Sequence, residues 1–336
     1  METIASPPLW GTFAVLVLVA LLIDLWLMRH GGPHKVTFRE AAWWSVCWVG
    51  LALAFNVALA WWIASKHGTD AGLQVGLEFL TGYLVEKSLA VDNIFVFLTI
   101  FTYFAVPETL RQRVLVVGVL LAIVLRAILI FAGALLLARF HWILYVFGVF
   151  LLLTGVKMLL AAGKEPEIAL NPVLRWLRNS LPLTTDYRGR AFAVTEGGKR
   201  LFTPLFLVAV LIGVTDVIFA VDSIPAIFAI TDDAFIVLTS NVFAVLGLRA
   251  IYFLIEGLAA RFHRLPYGLA AVLMFIGAKM VLIDVVKVPV WASLLTVVAL
   301  VAAAIVWSMV TEPKNQAASQ GGSPGRAAGS GTSDGA

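Results

Sequence analysis

Two short segments place acidic side chains inside strongly apolar stretches of this sequence. Each segment has an acid, and six residues later an aspartate followed by an amide or a hydroxyl side chain: Glu86, Asp92 and Asn93 in the first, and Asp216, Asp222 and Ser223 in the second. Carboxylate, amide and hydroxyl oxygens suit hard divalent cations such as Mg²⁺, Ca²⁺ or Mn²⁺, whereas Zn²⁺ and Cu⁺ prefer imidazole or sulfur. The two segments are therefore predicted to supply an all-oxygen cation site.

The composition predicts that these segments lie in a membrane. The 336 residues are 61% apolar and 13% charged, whereas soluble proteins average roughly 45–50% and 25%. Several apolar runs exceed the roughly 18–20 residues that cross a bilayer. We therefore expect an all-α polytopic membrane protein. The single cysteine, Cys47, excludes a disulfide framework, and the basic balance is assigned to cytoplasmic loops and not to nucleic-acid binding.

Hydropathy predicts nine membrane spans and an orientation for them. The spans cover approximately residues 9–28, 41–64, 72–105, 114–138, 142–162, 202–230, 234–258, 267–286 and 290–311. If the N-terminus is outside, the inner segments hold 16 Lys and Arg residues and the outer segments three. Because short cytoplasmic segments carry the Lys and Arg excess, this distribution predicts an N-terminus outside and a C-terminus inside.

An internal repeat divides the chain further. The matched segments are Leu89–Asn93 with Phe219–Ser223, Leu125–Ile128 with Leu248–Ile251, Arg139–His141 with Arg261–His263, and Gly155–Met158 with Gly277–Met280. Five matches, including Tyr145 with Tyr267, follow in one order at near-constant spacing. On the predicted topology the two three-helix units enter the membrane from opposite sides. Inverted repeats of this kind are typical of secondary transporters with a site near the bilayer midplane, although duplication retained only for packing is the alternative.

The resulting domain organisation has six parts. It consists of two N-terminal helices (1–70), a first three-helix repeat (71–162), a cytoplasmic loop (163–201), a second repeat (202–287), a last membrane helix (288–311) and a tail (312–336). Residues 171–179 of the loop are predicted to form a short amphipathic helix at the headgroups, with Trp176 as an interfacial anchor. The Gly- and Ser-rich tail is predicted to be disordered.

Inserting the four acids into a membrane costs free energy. A charge at the bilayer centre costs at least ~2.5–3.5 kcal/mol, so such residues usually face a cavity and mark an ion pathway. Ion pairing with Arg126 and Arg249 is the plainer interpretation, but two arginines leave two of the four negative charges unbalanced. One divalent cation would balance them, and we therefore favour ion binding.

The spacing within each segment predicts an irregular helix. A step of six residues turns a helix by about 600°, which places the two acids about 120° apart. A kink would bring them together, and Pro225 favours one because it cannot donate a hydrogen bond to the carbonyl of Val221. That freed carbonyl would be a further oxygen ligand.

Three lysines and one further acid lie in or near the predicted spans, besides the six predicted ligand residues. Lys157 and Lys279 match in the repeat and either line the pathway or extend to the headgroups. Lys87 is deeper and could neutralise Glu86 or Asp92. Asp24 lies near a span end and is expected to be solvated.

The segments Glu86–Asn93 and Thr215–Ala226 resemble the two signature segments of the TerC family of integral membrane proteins, including its Alx-type members. The resemblance covers about residues 10 to 311 and implies a prokaryotic plasma-membrane protein of the wider LysE-like transporter group. It also implies a role in manganese homeostasis and export and, by name, in tellurite resistance. The resemblance implies that the metal-pathway residues are Glu86, Asp92 and Asn93 in the first segment and Asp216, Asp222 and Ser223 in the second. A tellurite oxyanion would need cationic donors, so the carboxylates favour Mn²⁺.

The sequence thus predicts a secondary exporter of Mn²⁺, with Ca²⁺ or Mg²⁺ as further candidate cargoes. No G-x-x-x-x-G-K-[ST] motif is present, so protons are the expected counter-ion. No prosthetic group and no enzymatic activity are expected, since no nucleophile and base accompany the acids. The alternative is a membrane interaction or stress-complex protein in which the buried acids are structural. The oligomeric state is not determined by the sequence.

Overall fold

A computed structural model describes residues 4–30, 36–140, 142–161, 172–256 and 264–311, without the side chains of residues 27–30, 92 and 161. Eleven α-helices and one hairpin lie in these ranges. The helices are α1 Pro7–His30, α2 Phe38–His67, α3 Thr69–Tyr103, α4 Glu108–Arg139, α5 Ile143–Ala161, α6 Pro172–Ser180, α7 Pro204–Phe228, α8 Ala234–Leu246, α9 Leu248–Glu256, α10 Leu265–Val281 and α11 Val290–Val310. The prediction of a mostly helical membrane protein is therefore confirmed.

The described part of the structure has fewer helices that meet the length and hydropathy of a membrane span than the nine predicted. Within the described ranges, six helices are long and apolar enough to cross a membrane, and there are seven if α8 and α9 form one span, bent by 42°. The long helix α3 falls outside this group and carries five charged residues, and α10 has 17 residues. The nine spans, the orientation and the inversion of the repeat therefore stay predictions.

The two repeat units pack against each other reciprocally. The first helix of each unit contacts the second helix of the other, because α3 packs on α8 and α7 packs on α4. The two first helices, α3 and α7, also contact each other, as do the two third helices, α5 and α10. This pattern places the two signature segments side by side at the centre of the molecule.

Glycine allows the close approach of α5 and α10. A Cβ atom added at Gly277 would lie 2.8 Å from the backbone carbonyl oxygen of Gly148 and 2.8 Å from the amide nitrogen of Leu152. A Cβ atom at Gly155 would lie 2.7 Å from the side chain of Met274. Small residues at helix contacts are the usual means by which membrane helices approach closely. The repeat-matched glycines Gly155 and Gly277 thus join the two units.

The kink predicted at Pro225 stays a prediction, and the sharp bend between described helices lies elsewhere. Helix α7 is one helix from Pro204 to Phe228 with Pro225 inside its last turns, and the break falls instead at Gly247 between α8 and α9. A proline at this place removes one hydrogen bond, the one to the carbonyl of Val221, so the helix can bend there and stay continuous. Lys87 compensates at the Gly247 break, where its Nζ donates to the carbonyl oxygen of Ala244 at 2.9 Å.

The loop between the units is more structured than predicted. It contains α6 and an antiparallel hairpin of β1 Ala193–Glu196 and β2 Lys199–Phe202. The predicted amphipathic helix is present, but it buries Leu174 and Leu177 while Trp176 stays exposed. The Tyr187 hydroxyl donates to the carbonyl oxygen of Phe104 at 2.8 Å, and burial raises the pKa of Tyr187 to about 12, so it remains a donor. The predicted tail lies outside the described residues.

Candidate functional site

The centre of the molecule holds a buried ion-pair cluster organised by Arg126. This side chain lies on α4 and is 1% exposed. Its Nε and Nη2 atoms donate to the two carboxylate oxygens of Asp216 on α7 at 3.2 and 3.1 Å. Its Nη1 atom donates to Oε1 of Glu86 on α3 and, at 3.1 Å, to Oδ1 of Asn241 on α8. One guanidinium therefore links both signature segments, as a buried arginine with five donors can.

A cavity of about 250 Å³ lies beside this cluster. Its polar lining comes from both units and consists of Glu86, Asn93, Arg126, Thr154, Lys157, Asp222 and Ser223. Leu89, Met158, Phe219 and other apolar side chains complete the wall. The volume and the mixed lining suit a hydrated or partly hydrated small ion.

Three residues that line this cavity each have a buried side-chain oxygen with no hydrogen-bond partner among the described residues. These oxygens are Oε2 of Glu86, Oδ1 of Asn93 and Oγ of Ser223. Buried polar atoms in native proteins are nearly always satisfied, so each exception calls for a ligand, an ion or a water molecule. The three atoms come from α3 and α7, and all three residues were selected from the sequence as ligands. The donor set therefore fits a divalent cation bound between the two units.

The two remaining aspartates of the signature segments differ in position. Asp222 lines the cavity, half-buried, and accepts a hydrogen bond from the Thr154 hydroxyl at 3.3 Å. Asp216 is buried but gives both oxygens to Arg126 and lies outside the cavity wall. Asp92 lies on α3, and its side chain is outside the described part of the structure. The sequence prediction thus places Glu86, Asn93, Asp222 and Ser223 together, with Asp216 one step removed.

Among the side chains that the structure describes, no three His, Cys, Asp or Glu residues converge closely enough to hold a metal ion by themselves. The candidate centre has two described carboxylates, Glu86 and Asp222, and otherwise neutral oxygens. Mg²⁺ and similar ions commonly keep several waters and use only one or two carboxylates. The arrangement therefore suits a partly hydrated ion that can leave, more than a tightly enclosed structural ion.

The repeat-matched arginines have different partners. Pairing of Arg249 on α9 with the signature acids is the plainer interpretation of the sequence, but its Nη2 atom pairs with Oδ1 of Asp24 on α1. Asp24 is therefore not solvated, since its side chain is 13% exposed. The expectation was wrong because Asp24 is near a span end in sequence, while α1 packs so that it faces α9.

The three lysines also differ in their position relative to the cavity. Lys157 is exposed and lines the cavity, whereas Lys279 is half-buried and is not among the cavity residues. Among the described side chains, Lys87 donates to the end of α8 and lies 5.6 Å from the Tyr83 ring centre. Its predicted contact with Asp92 concerns a side chain outside the described part of the structure. Val221 is 45% exposed and is not among the residues that line the cavity.

Sequence reasoning names Asn241 only as a residue that could line a path, without a partner, and it missed Thr154. Asn241 is fully buried on α8, and its amide nitrogen donates to the carbonyl oxygen of Val237 at 2.9 Å. An amide inside an apolar span must find partners, and this signal could have selected Asn241. Thr154 precedes the matched segment Gly155–Met158 by one residue and has no polar match in the other unit, so nothing distinguished it.

A further ion pair joins the two units at another level. Arg111 on α4 pairs with Glu256 on α9, whose Oε1 atom also accepts a hydrogen bond from the Tyr252 hydroxyl at 3.1 Å. The Arg111 guanidinium carbon lies 5.9 Å from the centre of the Phe101 ring on α3. Three helices of the two units are thereby connected at the ends of α3 and α9.

Comparison with known proteins agrees with these observations. The profile described as "Integral membrane protein TerC family" matches residues 71–316. A "Putative membrane-bound redox modulator Alx" of Salmonella typhi is 54% identical over 294 residues, which are 88% of this chain and 91% of that protein. An uncharacterized membrane protein of Myxococcus xanthus is 47% identical over 313 residues, covering 92% and 95%. One of Rickettsia felis is 35% identical over 301 residues, covering 90% and 97%.

No solved structure matches significantly. The family profile and these relatives cover most of the chain, including both signature segments and the helices that carry Arg126, Asn241 and Thr154. The chain is a member of the TerC family of integral membrane proteins.

Proposed function

We propose that this protein is a secondary transporter that exports divalent metal cations, with Mn²⁺ as the favoured cargo. The observation that carries the proposal is the group of three unpartnered buried oxygens on α3 and α7 around one cavity. Leaving a buried polar atom unsatisfied costs about 1–3 kcal/mol. A fold that retains three at one place is best explained by a ligand that satisfies them.

The ligand chemistry supports a hard cation. Glu86 and Asp222 supply carboxylate oxygen, Asn93 amide oxygen, and Ser223 hydroxyl oxygen. Such donors suit Mn²⁺, Mg²⁺ and Ca²⁺. The choice of Mn²⁺ within this class, and the export direction, rest on the resemblance of the signature segments to the TerC family.

The architecture supports alternating access. Reciprocal packing of the two repeat units puts the cavity at their interface, where inverted-repeat transporters bind their substrates. We propose nine spans with the N-terminus outside, so that the two units are inverted, in the plasma membrane of a prokaryote. The ion pair between Arg111 and Glu256 would then lie at the cytoplasmic end. It would have to open when the cavity faces the cytoplasm.

Energy for export would come from protons. The sequence has no G-x-x-x-x-G-K-[ST] motif for ATP. When the cation leaves the cavity, a carboxylate that has no other partner favours proton uptake, because an unpaired buried charge is costly. Asp222, which lines the cavity, is the described carboxylate in this position.

Flux in proteoliposomes tests this proposal. Purified protein is reconstituted with a Mn²⁺-sensitive dye and a pH-sensitive dye inside the vesicles, and Mn²⁺ is added outside. We expect protein-dependent Mn²⁺ entry with opposing proton movement. Vesicles without protein and a variant at an exposed acid, Asp284→Asn, serve as controls. Mn²⁺ entry without proton movement would remove the coupling, and no Mn²⁺ movement would contradict transport.

A second candidate function is favoured by the Arg126 cluster. Ion pairs with Glu86 and Asp216 are also what a structural role for the acids would require. The protein would then be a membrane interaction or stress-complex partner. The Alx relatives are named putative membrane-bound redox modulators. An intramolecular dithiol needs two cysteines, and this chain has only Cys47. The unpartnered oxygens at the cavity favour transport over this alternative.

A further inference from the structure

Arg126 and the cavity share one carboxylate. The Oε1 atom of Glu86 accepts from Arg126, while Oε2 of the same group is buried, unpartnered and at the cavity. Arg126 itself contributes to the cavity lining. A cation bound to Oε2 would therefore share Glu86 with a guanidinium on the other oxygen of that carboxylate.

Sharing weakens the bond to the cation for two reasons. The positive charge of Arg126, a side chain that is 1% exposed, repels a second cation at short range. The hydrogen bond to Oε1 also draws negative charge of the carboxylate toward Arg126 and away from Oε2. Hydrogen bonds between charged groups are stronger than those between neutral groups. Arg126 is held in place independently, because both oxygens of Asp216 and Oδ1 of Asn241 accept from it.

We propose that Arg126 is a built-in competitor for Glu86, which weakens divalent-cation binding and so allows the site to release its cargo. This inference rests on the proposed transport function and goes beyond it, since it assigns a role in turnover to a residue that need not contact the cation. Conduction and transport require a site that binds strongly enough to load and weakly enough to unload. Arg126 sets that balance through Glu86.

A structural role makes a different prediction. If Arg126 served only to neutralise Asp216, then removing both charges together would leave cation binding unchanged. The double variant Arg126→Gln with Asp216→Asn does this: it keeps the local net charge and keeps two groups that can hydrogen-bond each other. The hold on Glu86 is lost, together with the hydrogen bond from Arg126 to Oδ1 of Asn241.

The test measures binding and turnover separately in the full-length protein. Equilibrium binding of Mn²⁺ is followed by electron paramagnetic resonance in detergent, and initial transport rates are measured in proteoliposomes over a range of Mn²⁺ concentrations. Loss of a hydrogen bond to a charged group corresponds to roughly 10–100-fold in an equilibrium constant. We expect the double variant to bind Mn²⁺ at least about tenfold more tightly, with a lower half-saturating concentration and a lower maximal rate.

Two further variants complete the design. Asp216→Asn alone retains Arg126 on Glu86 and is expected to lack the tighter binding. Arg126→Lys keeps a positive charge but loses the planar fork that reaches both acids, so it should shift binding and maximal rate in the same direction by a smaller factor. It also serves if the double variant does not fold.

The outcomes separate the two proposals. A double variant with wild-type binding and maximal rate would overturn the inference, because Arg126 would then only neutralise Asp216. Weaker binding would overturn it as well, because Arg126 would then orient Glu86 for the cation instead of competing for it. Failure of the wild-type protein to bind or move Mn²⁺ would contradict the proposed function itself.

Discussion

Mn²⁺ transport is expected to fall by roughly 100-fold or more when Asp222 is replaced by Asn or Glu86 by Gln. Each substitution keeps size and polarity but removes a carboxylate that the cavity presents to a cation. Replacing even the outer-shell partner of a metal ligand typically costs 10–100-fold in affinity, so loss of a charged ligand should reach at least the upper end of that range. The measurement is the initial rate of Mn²⁺ entry in proteoliposomes, with Mn²⁺ accumulation in expressing cells as a second readout.

The matched control is another acid of the same chain. Asp284 is exposed and accepts a hydrogen bond from the Tyr145 hydroxyl, away from the cavity lining. Asp284→Asn should transport Mn²⁺ at the wild-type rate. Wild-type efflux in both the Asp222 and the Glu86 variants would favour the interaction-protein alternative over transport.

Replacing Arg126 with Met is expected to lower the free energy of unfolding by about 3–5 kcal/mol, the usual effect of removing one partner from a buried ion pair. Two buried carboxylates, Glu86 and Asp216, would lose their cation together, and Asn241 would lose its donor. Thermal unfolding in detergent micelles measures the effect as a lower midpoint temperature.

The repeat supplies a control for this variant. Arg249→Met removes the matched arginine, whose ion pair within the described residues is with Asp24. These two side chains are 10% and 13% exposed, against 1%, 0% and 3% for Arg126, Glu86 and Asp216. The destabilisation by Arg249→Met should be clearly smaller. Equal destabilisation by the two variants would mean that the Arg126 cluster is not the principal polar contact between the units.

Much of the fold could be predicted because hydropathy and insertion costs act locally. Long apolar runs predicted the membrane helices, and matched residues predicted the two packed units. The same reasoning selected Glu86, Asn93, Asp222 and Ser223, since a polar group within an apolar span must face something polar. The structure places these four at one cavity.

The remainder could not be predicted because it depends on which helices meet. Nothing in the sequence around Asp24 shows that α1 would bring it to Arg249, and the repeat suggested equal partners for Arg126 and Arg249. The break at Gly247 depends on Lys87, 160 residues earlier, which donates to the carbonyl of Ala244. Long-range hydrogen bonds of this kind leave no periodic pattern in a single sequence.

The central claim is that a divalent cation binds between α3 and α7, and its most direct test is anomalous scattering at the manganese edge from crystals grown with Mn²⁺. The account predicts a single strong peak within coordination distance of Glu86 Oε2 and a carboxylate oxygen of Asp222, absent in the Glu86→Gln protein. A peak elsewhere in the molecule, or an undiminished peak in that variant, would contradict it.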